Sequence, residues 1–481
     1  MARIQNRRTI LDYRRTPWNY KPVNPETPMR DLNNKHIVVI GAARSGLAVA
    51  SLLKQKGAKV FVSDISTISD AVKQQLETEH IPYEENGHTE KARSAEMAVL
   101  SPGVPSTIPL VRHYLDKGKQ VVSELEVASW FNRSRTIAVT GSNGKTTVTS
   151  WLSHTWKKAQ KPSLSAGNIG SALSGQVSRT GPDSTVMLEV SSFQLDHIDR
   201  FRPDIGIILN ITPDHLDRYN NDFELYKQSK FRLTENQSAD DIFIYNQEDP
   251  SLAARANELQ KKKHHPQLLA FSDSREVDAG AFVRDQQIVF KFNNKEEPFM
   301  HIDEIGLAGR HNLNNGLATA LAARASEIKS DAIRESLKTF EGVEHRLEQV
   351  RVHEGVRYVN DSKATNINAV WYALDSFNMP IVLILGGRDK GNDYTELEGL
   401  LREKVHTVIA IGEARPAIKK QIGKTVLNYL EAETMKEAVR LSYKQAKRGE
   451  IVLLSPACSS FDMFDNYEHR GEVFKQSVLE L

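Results

Sequence analysis

Cysteine is almost absent from this chain: Cys458 is the one thiol in 481 residues. An internal disulfide is therefore excluded, and a cysteine-based zinc cluster with it. An excess of either charge is also lacking, since 63 basic residues meet 61 acidic ones for a net charge of +2. No global field points to nucleic acid or a membrane surface as partner. No run of about 18 apolar residues occurs, so no membrane span is predicted. No repeat of roughly 20–50 residues is evident, which sets aside solenoids and propellers. The first 30 residues carry seven basic and two acidic side chains and four prolines, but no serine and no apolar core segment. They read as a basic, proline-containing extension over 1–32, unlike a secretory signal or a transit peptide. What is present, 40% hydrophobic and 26% charged residues, is the composition of a globular protein. The length suits roughly three domains, and a reducing cytoplasm fits the single thiol.

The most informative stretch is Thr140-Gly141-Ser142-Asn143-Gly144-Lys145-Thr146-Thr147. It follows the β-branched run 136–139, which reads as a buried strand, and precedes 148–157, which reads as an amphipathic helix. Strand, glycine turn, lysine and hydroxyl at a helix start form a phosphate cradle, with backbone N–H groups and the helix N-terminus facing the anion. Lys145 reaches the outer phosphates and the Thr146 hydroxyl suits Mg²⁺. The spacing is shorter than the general pattern, because Val139 stands where the first glycine belongs. A plain strand–helix turn is the alternative.

Strands and helices alternate from residue 35 onward, which predicts an α/β chain of three modules. The first holds an apolar run at 36–40, the turn Gly41-Ala42-Ala43-Arg44-Ser45-Gly46, a helix through Leu53, a strand at 60–63 ending at Asp64, and a strand at 98–101 leading into Pro102-Gly103. This is a Rossmann-like unit whose second fingerprint glycine is Ala43. The second module adds strands at 186–190, 204–210 and 241–246. The third adds strands at 356–360, 381–386, 407–412 and 451–455, with a helix over 432–447. Ligands of open α/β sheets sit beyond the carboxyl ends of strands, so Glu189 and His215, which follow two such strands, are candidate cation ligands. Read alone, Glu189 could cap a turn, His215 and His197 could be structural, Lys230 could be an exposed helical lysine, Lys390 a surface lysine in a turn, and Cys458 a small buried thiol.

Seven segments together resemble the Mur ligase family of peptidoglycan synthesis: 141–147, Gly167-Asn168-Ile169-Gly170, 189–195, 210–218, Gly309-Arg310-His311-Asn312-Leu313-Asn314-Asn315, Glu344-His345-Arg346 and 360–366. The segment 454–464 adds a further marker, and the resemblance runs from about residue 35 to 481. It implies a Rossmann-like N-terminal domain at 33–131 for a UDP-sugar substrate. It also implies a central P-loop ATPase-like domain at 132–342 and a Rossmann-like C-terminal domain at 343–481 for the incoming amino acid. The implied activity is ATP-dependent addition of D-glutamate to UDP-N-acetylmuramoyl-L-alanine by a cytoplasmic monomer.

The resemblance also assigns residues. Arg44, Ser45, Asp64, Ser101, Pro102 and Gly103 line the UDP pocket, and Asn168 touches the muramoyl–alanine arm. Arg44 and Ile65 depart from the family's apolar and hydroxyl residues. Gly141 to Thr147 hold ATP, with His311, Asn312 and Asn315 on the adenine side and Arg346 and Asp361 on the nucleotide. Lys363, Thr365, Lys390, Ser460 and Phe461 hold D-glutamate. Lys145, Glu189, His215 and Lys230 are the implied catalytic set. Thr146, Glu189, His215 and Lys230 as a CO₂-derived carbamate would hold two Mg²⁺ ions. A general base is needed and is not named by the sequence. The alternatives are another amide ligase of this fold, either a different Mur step or a folylpolyglutamate-like synthetase, a dehydrogenase built on Gly41 to Asp64, and a non-catalytic nucleotide binder. Ala43 and the separate P-loop count against the dehydrogenase. A joint between modules is expected near Glu341 to Arg346.

Overall fold

The computed structural model describes residues 31–168, 171–307, 309–389 and 391–481. Residues 1–30 of the extension, Ile169, Gly170 and Lys390 lie outside the described residues. Two compact units divide the chain. One runs to Ile302 and includes Leu317–Ser336, and the other comprises Asp303–Gly316 and Leu337–Leu481.

The first unit contains two sheets. The N-terminal sheet holds β1 (His36–Ile40), β2 (Lys59–Ser63), β3 (Tyr83–Glu84), β4 (Met97–Leu100) and β5 (Gln120–Ser123), all parallel, in the order β3-β2-β1-β4-β5. This is the doubly wound order expected from the glycine turn. Gly41 has φ +93°, and a Cβ on Gly46 would lie 1.8 Å from the Gly41 carbonyl oxygen, so both positions need glycine. Ala43 is tolerated because its φ of −67° is ordinary for an L residue.

The second sheet holds β6 (Arg135–Thr140), β7 (Ser163–Gly167), β8 (Thr185–Glu189), β9 (Ile205–Ile208), β10 (Ile242–Asn246), β11 (Gln267–Ser272), β12 (Gly280–Arg284), β13 (Gln287–Phe292) and β14 (Lys295–His301). Its order is β14-β13-β12-β11-β10-β9-β6-β8-β7, with β13 alone running antiparallel to its neighbours. β6 lies between β8 and β9, so the direction of winding reverses there. The carboxyl end of β6 is thus the crevice where open α/β sheets bind ligands.

The helix Glu124–Ser129 fastens these two sheets within the unit. The Glu126 carboxylate, fully buried, accepts N–H bonds from Asp199, Arg200 and Phe201 and from the Trp130 indole. Glu124 accepts the Ser174 N–H at 2.8 Å. Burial raises the pKa of Glu124, and the bonds to both side chains tie this helix to segments that follow β7 and β8.

The second unit is built on one sheet: β15 (Glu348–His353), β16 (Val356–Asn360), β17 (Ile381–Gly386), β18 (Val405–Ile411), β19 (Asn428–Ala432) and β20 (Ile451–Leu454). The order is β15-β16-β20-β17-β18-β19, with β15 alone antiparallel. Ile381 to Leu385 and Ile451 to Leu454 are fully buried, as befits strands covered by helices on both faces.

Candidate active site

The glycine turn after β6 has the conformation its sequence dictates. Gly141 (φ +148°) and Gly144 (φ +87°) occupy backbone space that L side chains avoid. Gly144 caps the helix Lys145–Lys158 and brings no side chain to its N-terminus, which leaves that end suited to an anion. Lys145 curls over the turn and donates to the carbonyls of Gly141 at 2.7 Å and Ser142 at 2.8 Å. Thr146 and Thr147 are buried at the helix start. A reciprocal amide pair ties the turn to the segment after β9: Asn143 N–H donates to Asn210 Oδ1 at 2.8 Å, and Asn210 Nδ2 donates to the Asn143 carbonyl at 3.1 Å. Ser142 Oγ donates to the Thr212 carbonyl at 2.7 Å and lies 2.9 Å from the Tyr226 hydroxyl.

Glu189 ends β8 and is 1% exposed. Its Oε1 accepts from Asn168 Nδ2 at 2.9 Å, while its Oε2 has no hydrogen-bond partner among the described residues. A buried carboxylate oxygen left without a donor costs about 1–3 kcal/mol or more, a cost that a bound cation would relieve. Gly167 makes the approach, since a Cβ there would lie 2.2 Å from the Glu189 carbonyl oxygen. His215 is exposed, takes φ +50°, and starts the short turn Leu216–Tyr219. Its ring stands edge-on to Phe193 with centroids 6.3 Å apart. A carboxylate oxygen, a hydroxyl and an imidazole form a donor set that fits Mg²⁺ through its oxygens.

Lys230 is not the exposed helical lysine that its local sequence favours. It lies on the helix Phe223–Phe231, is 1% exposed, and donates to the Gly141 carbonyl at 3.0 Å. Its ammonium stands over the Tyr226 ring at 4.7 Å. Burial, and then the nearby Lys145 charge, push the amine well below its ordinary pKa, against the pull of Asp214, Asp196 and Glu189. Two lysines therefore converge on one carbonyl of the glycine turn.

In the N-terminal sheet both oxygens of Asp64 already brace the backbone. Oδ2 accepts the Ala42 N–H at 2.7 Å and Oδ1 the Ser66 N–H at 2.8 Å. Ser101 Oγ donates to the Gly41 carbonyl at 3.2 Å, so Asp64 and Ser101 hold the glycine turn from two sides. Arg44 is exposed, Ser45 half-buried, and Ile65 is 67% exposed beside them. The Pro102 and Gly103 carbonyls accept from Arg218.

The second unit carries the remaining candidates. His311 Nδ1 lies 3.1 Å from Ser376 Oγ, and burial with the Arg346 charge lowers its pKa to about 3, so the imidazole is neutral at physiological pH. Asn315 Nδ2 donates to Asn312 Oδ1 at 3.3 Å. Arg346 sits in a strained turn, with His345 at φ +62° and Leu347 at φ +46°. Lys475 clamps that turn by pairing with Glu344, Glu348 and Glu472. The expected joint near Glu341 to Arg346 is thus anchored inside this unit, whose chain boundaries fall at 302/303, 316/317 and 336/337. The cluster of Glu344, His345 and Glu472 has metal-ligand character, but the Lys475 ammonium already supplies its cation.

Lys363 stands with its ammonium 5.2 Å from the Tyr467 ring centroid and its N–H on the His345 carbonyl. Thr365 is half-buried, Ser460 is 2% exposed and Phe461 62% exposed. Sequence reasoning missed Arg470, which is wholly buried. It donates to Ser362 Oγ at 3.0 Å, the Ser362 carbonyl at 2.8 Å and the Cys458 carbonyl at 3.0 Å. One guanidinium therefore binds the loop of Lys363 to the loop of Ser460, and burial lowers its pKa to about 10. The available signal was its place with Phe474 and Val478 on the buried face of the helix Tyr467–Leu479. A groove of about 400 Å³ lined by Arg402, Lys404, His406 and Lys424 lies at the opposite, amino ends of β17 and β18. None of the candidate residues lines it.

Asp361 is 3% exposed, accepts from Ser455 Oγ at 2.8 Å, and has its pKa raised from 3.8 to about 6 by burial, against the pull of Arg346. Its folded-state pKa lies above its unfolded one, so the folded protein holds the proton more tightly and stability falls as pH rises through that window. The cost above pH 6 is of order 3 kcal/mol. Asp361→Asn is therefore expected to melt higher than the parent at pH 7.5, with the gap closing below pH 4, in circular-dichroism melts. A variant that melts lower at pH 7.5 would refute a net cost of the ionised carboxylate.

Comparison with known proteins follows the same three sheets. Residues 36–108 match the MurD N-terminal domain, 139–323 the Mur ligase middle domain, and 345–458 the Mur ligase, glutamate ligase domain. A Salinibacter ruber protein named UDP-N-acetylmuramoylalanine--D-glutamate ligase is 46% identical over 453 residues, covering 93% of this chain and 98% of its own. One of the same name from Chlorobaculum parvum is 44% identical over 470 residues, covering 95% and 99%. Among solved structures, the UDP-N-acetylmuramate-alanine ligase MurC of Thermotoga maritima matches with a TM-score of 0.58 at 16% identity, over 93% of this chain and 99% of that one. The MurF ligase of the same organism, in complex with ADP, gives 0.57 at 15% identity, over 94% and 97%. At those identities the structures speak to the fold alone, whereas the relatives extend nearly end to end. The chain belongs to the Mur ligase family.

Proposed function

We propose that this protein is an ATP-dependent ligase that joins the amine of D-glutamate to the carboxylate of UDP-N-acetylmuramoyl-L-alanine, in the assembly of peptidoglycan precursors. The observation that carries the reading is the 46% identity over 453 residues to a relative named for that reaction. The chemistry of the site agrees with it. A carboxylate is a poor acyl donor because oxide is its leaving group, and phosphorylation by ATP converts it to an acyl phosphate. The D-glutamate amine then attacks the acyl carbon, the tetrahedral adduct collapses, and the C–O bond to phosphate breaks. A neutral amine is required, so a base must take its proton.

Carboxylate and triphosphate are both anionic, and Lys145 with the helix N-terminus supplies positive charge where they meet. Thr146, Glu189 and His215 would hold Mg²⁺, which when bound neutralises charge on the transferred phosphoryl. The orphaned Glu189 Oε2 is the feature that supports this placement. Lys230, as a carbamate, would add anionic oxygens, and its depressed pKa supports the reading because only a neutral amine combines with CO₂. The UDP pocket is assigned to Arg44, Ser45, Asp64 and Ser101 to Gly103, with Asn168 toward the muramoyl arm. Gly141 to Thr147, His311, Asn312, Asn315, Arg346 and Asp361 are assigned to ATP. Lys363, Thr365, Lys390, Ser460 and Phe461 are assigned to D-glutamate. The domain limits 33–131, 132–342 and 343–481 belong to the same proposal, as do a cytoplasmic location and a monomeric state. No helix among the described residues is long and apolar enough to cross a membrane.

Phosphate release from ATP tests this reading, measured with UDP-N-acetylmuramoyl-L-alanine and a panel of amino acids. D-glutamate alone is expected to support release at full rate. Equal release with L-glutamate or L-alanine would overturn the substrate assignment, and nicotinamide-cofactor turnover would replace it with a dehydrogenase.

A further inference from the structure

Arg218 belongs to the short turn that His215 begins, and its guanidinium reaches two segments besides its own. Nη1 donates to the Pro102 carbonyl at 3.1 Å and Nη2 to the Gly103 carbonyl at 2.9 Å. The guanidinium carbon lies 4.5 Å from the centroid of the Phe193 ring. Phe193 follows Glu189 on the segment after β8, and its ring is the edge-on neighbour of His215. Pro102 and Gly103 follow β4 of the N-terminal sheet. One planar cation thus spans the carboxyl ends of β4, β8 and β9.

We infer that Arg218 is a positioning residue that couples the Ser101–Gly103 loop, assigned to the UDP moiety, to the His215 turn, assigned to the cation. The inference rests on the function proposed above and deepens it. Two successive carbonyls face the two donors of a rigid fork, and the flat face of that fork lies on an aromatic ring. A lysine offers neither the fork nor the flat face. A shift of the Pro102–Gly103 backbone on taking a diphosphate must be followed by the guanidinium or break both bonds. The guanidinium in turn carries Phe193 and the turn of His215 with it. Coupling of this kind is reciprocal between the two sites.

The test uses the full-length enzyme and Arg218→Lys, with Arg218→Gln beside it. The affinity for UDP-N-acetylmuramoyl-L-alanine, read as a calorimetric Kd and as KM, is expected to weaken about tenfold and the Mg²⁺ concentration for half-maximal rate to rise as much, within the usual range of coupling between sites. The KM for D-glutamate should stay within twofold of the parent. A merely structural role would lower the active fraction, and hence kcat, without moving those two constants together. Phe193→Leu removes the aromatic platform and leaves the carbonyl contacts. It should move both constants in the same direction by less than Arg218→Lys does, and it keeps the question answerable if both arginine variants misfold. Unchanged constants in Arg218→Lys, or in Phe193→Leu where the arginine variants misfold, would overturn the coupling. A parent enzyme without D-glutamate-dependent phosphate release would instead overturn the functional reading.

Discussion

Lys145→Ala is expected to cut D-glutamate-dependent phosphate release by at least two to three orders of magnitude, the loss typical of removing one preorganised charge donor from a transition state. The ammonium rests on the Gly141 and Ser142 carbonyls, so it is already held over the turn where phosphates would lie. Its removal leaves the charge developing on the transferred phosphoryl to the helix N-terminus and the metal. Folding should survive, because the apolar core beneath the turn, from Ile137 through Val139 to Val148 and Trp151, does not include this side chain. The variant should also raise the pKa of Lys230, since the Lys145 charge is one of the causes that depress it. Phosphate release and a circular-dichroism melt check both halves. Activity within tenfold of the parent in a folded Lys145→Ala enzyme would sink the phosphate-cradle assignment.

The legible parts of the chain were those where one constraint dominates. Strands buried on both faces, such as 381–386 and 451–454, carry uninterrupted apolar runs and lie where the sequence places them. Glycine turns were readable because Gly41, Gly141 and Gly144 take positive φ that other residues avoid. The strands β11 to β14 were not anticipated. β14 is polar, contains Pro298 and pairs through a register shift, so its alternation is broken. A usable signal was nonetheless present. Asp285-Gln286 and Asn293-Asn294 both take positive φ between paired antiparallel strands, and such residues favour tight hairpins. The helix predicted from Ala432 begins at Met435, because Ala432 completes β19. At the site, motifs placed Lys145, Glu189 and His215 at strand ends, but long-range partners stayed hidden. Nothing local to Arg218 or Arg470 reveals that each binds carbonyls more than ten residues away along the chain. Asp64 reads as a free acid in sequence, whereas both its oxygens accept backbone N–H groups.

Lys230→Ala carries the second large expected effect, a near-complete loss of ligase activity with ATP binding retained. A lysine that is 1% exposed and beside a second ammonium would be an expensive structural choice. Burial and the Lys145 charge favour the neutral amine, whose lone pair can attack CO₂, forming an N–C bond and releasing one proton to solvent. The product is an anion, which removes the repulsion from Lys145 and converts a cation into an oxygen donor of the kind Mg²⁺ prefers. The alanine variant leaves space near Gly141 for a small carboxylate, so acetate at fixed ionic strength is expected to restore part of the lost rate. Lys230→Arg should not respond, because guanidinium stays cationic and fills the space. A folded variant is expected, and a circular-dichroism melt beside the activity assay checks it. A fully active Lys230→Ala enzyme would reduce this residue to a packing role. An inactive one that acetate fails to restore, under conditions where nucleotide still binds, would leave the buried amine itself, rather than its carbamate, as the group the reaction needs.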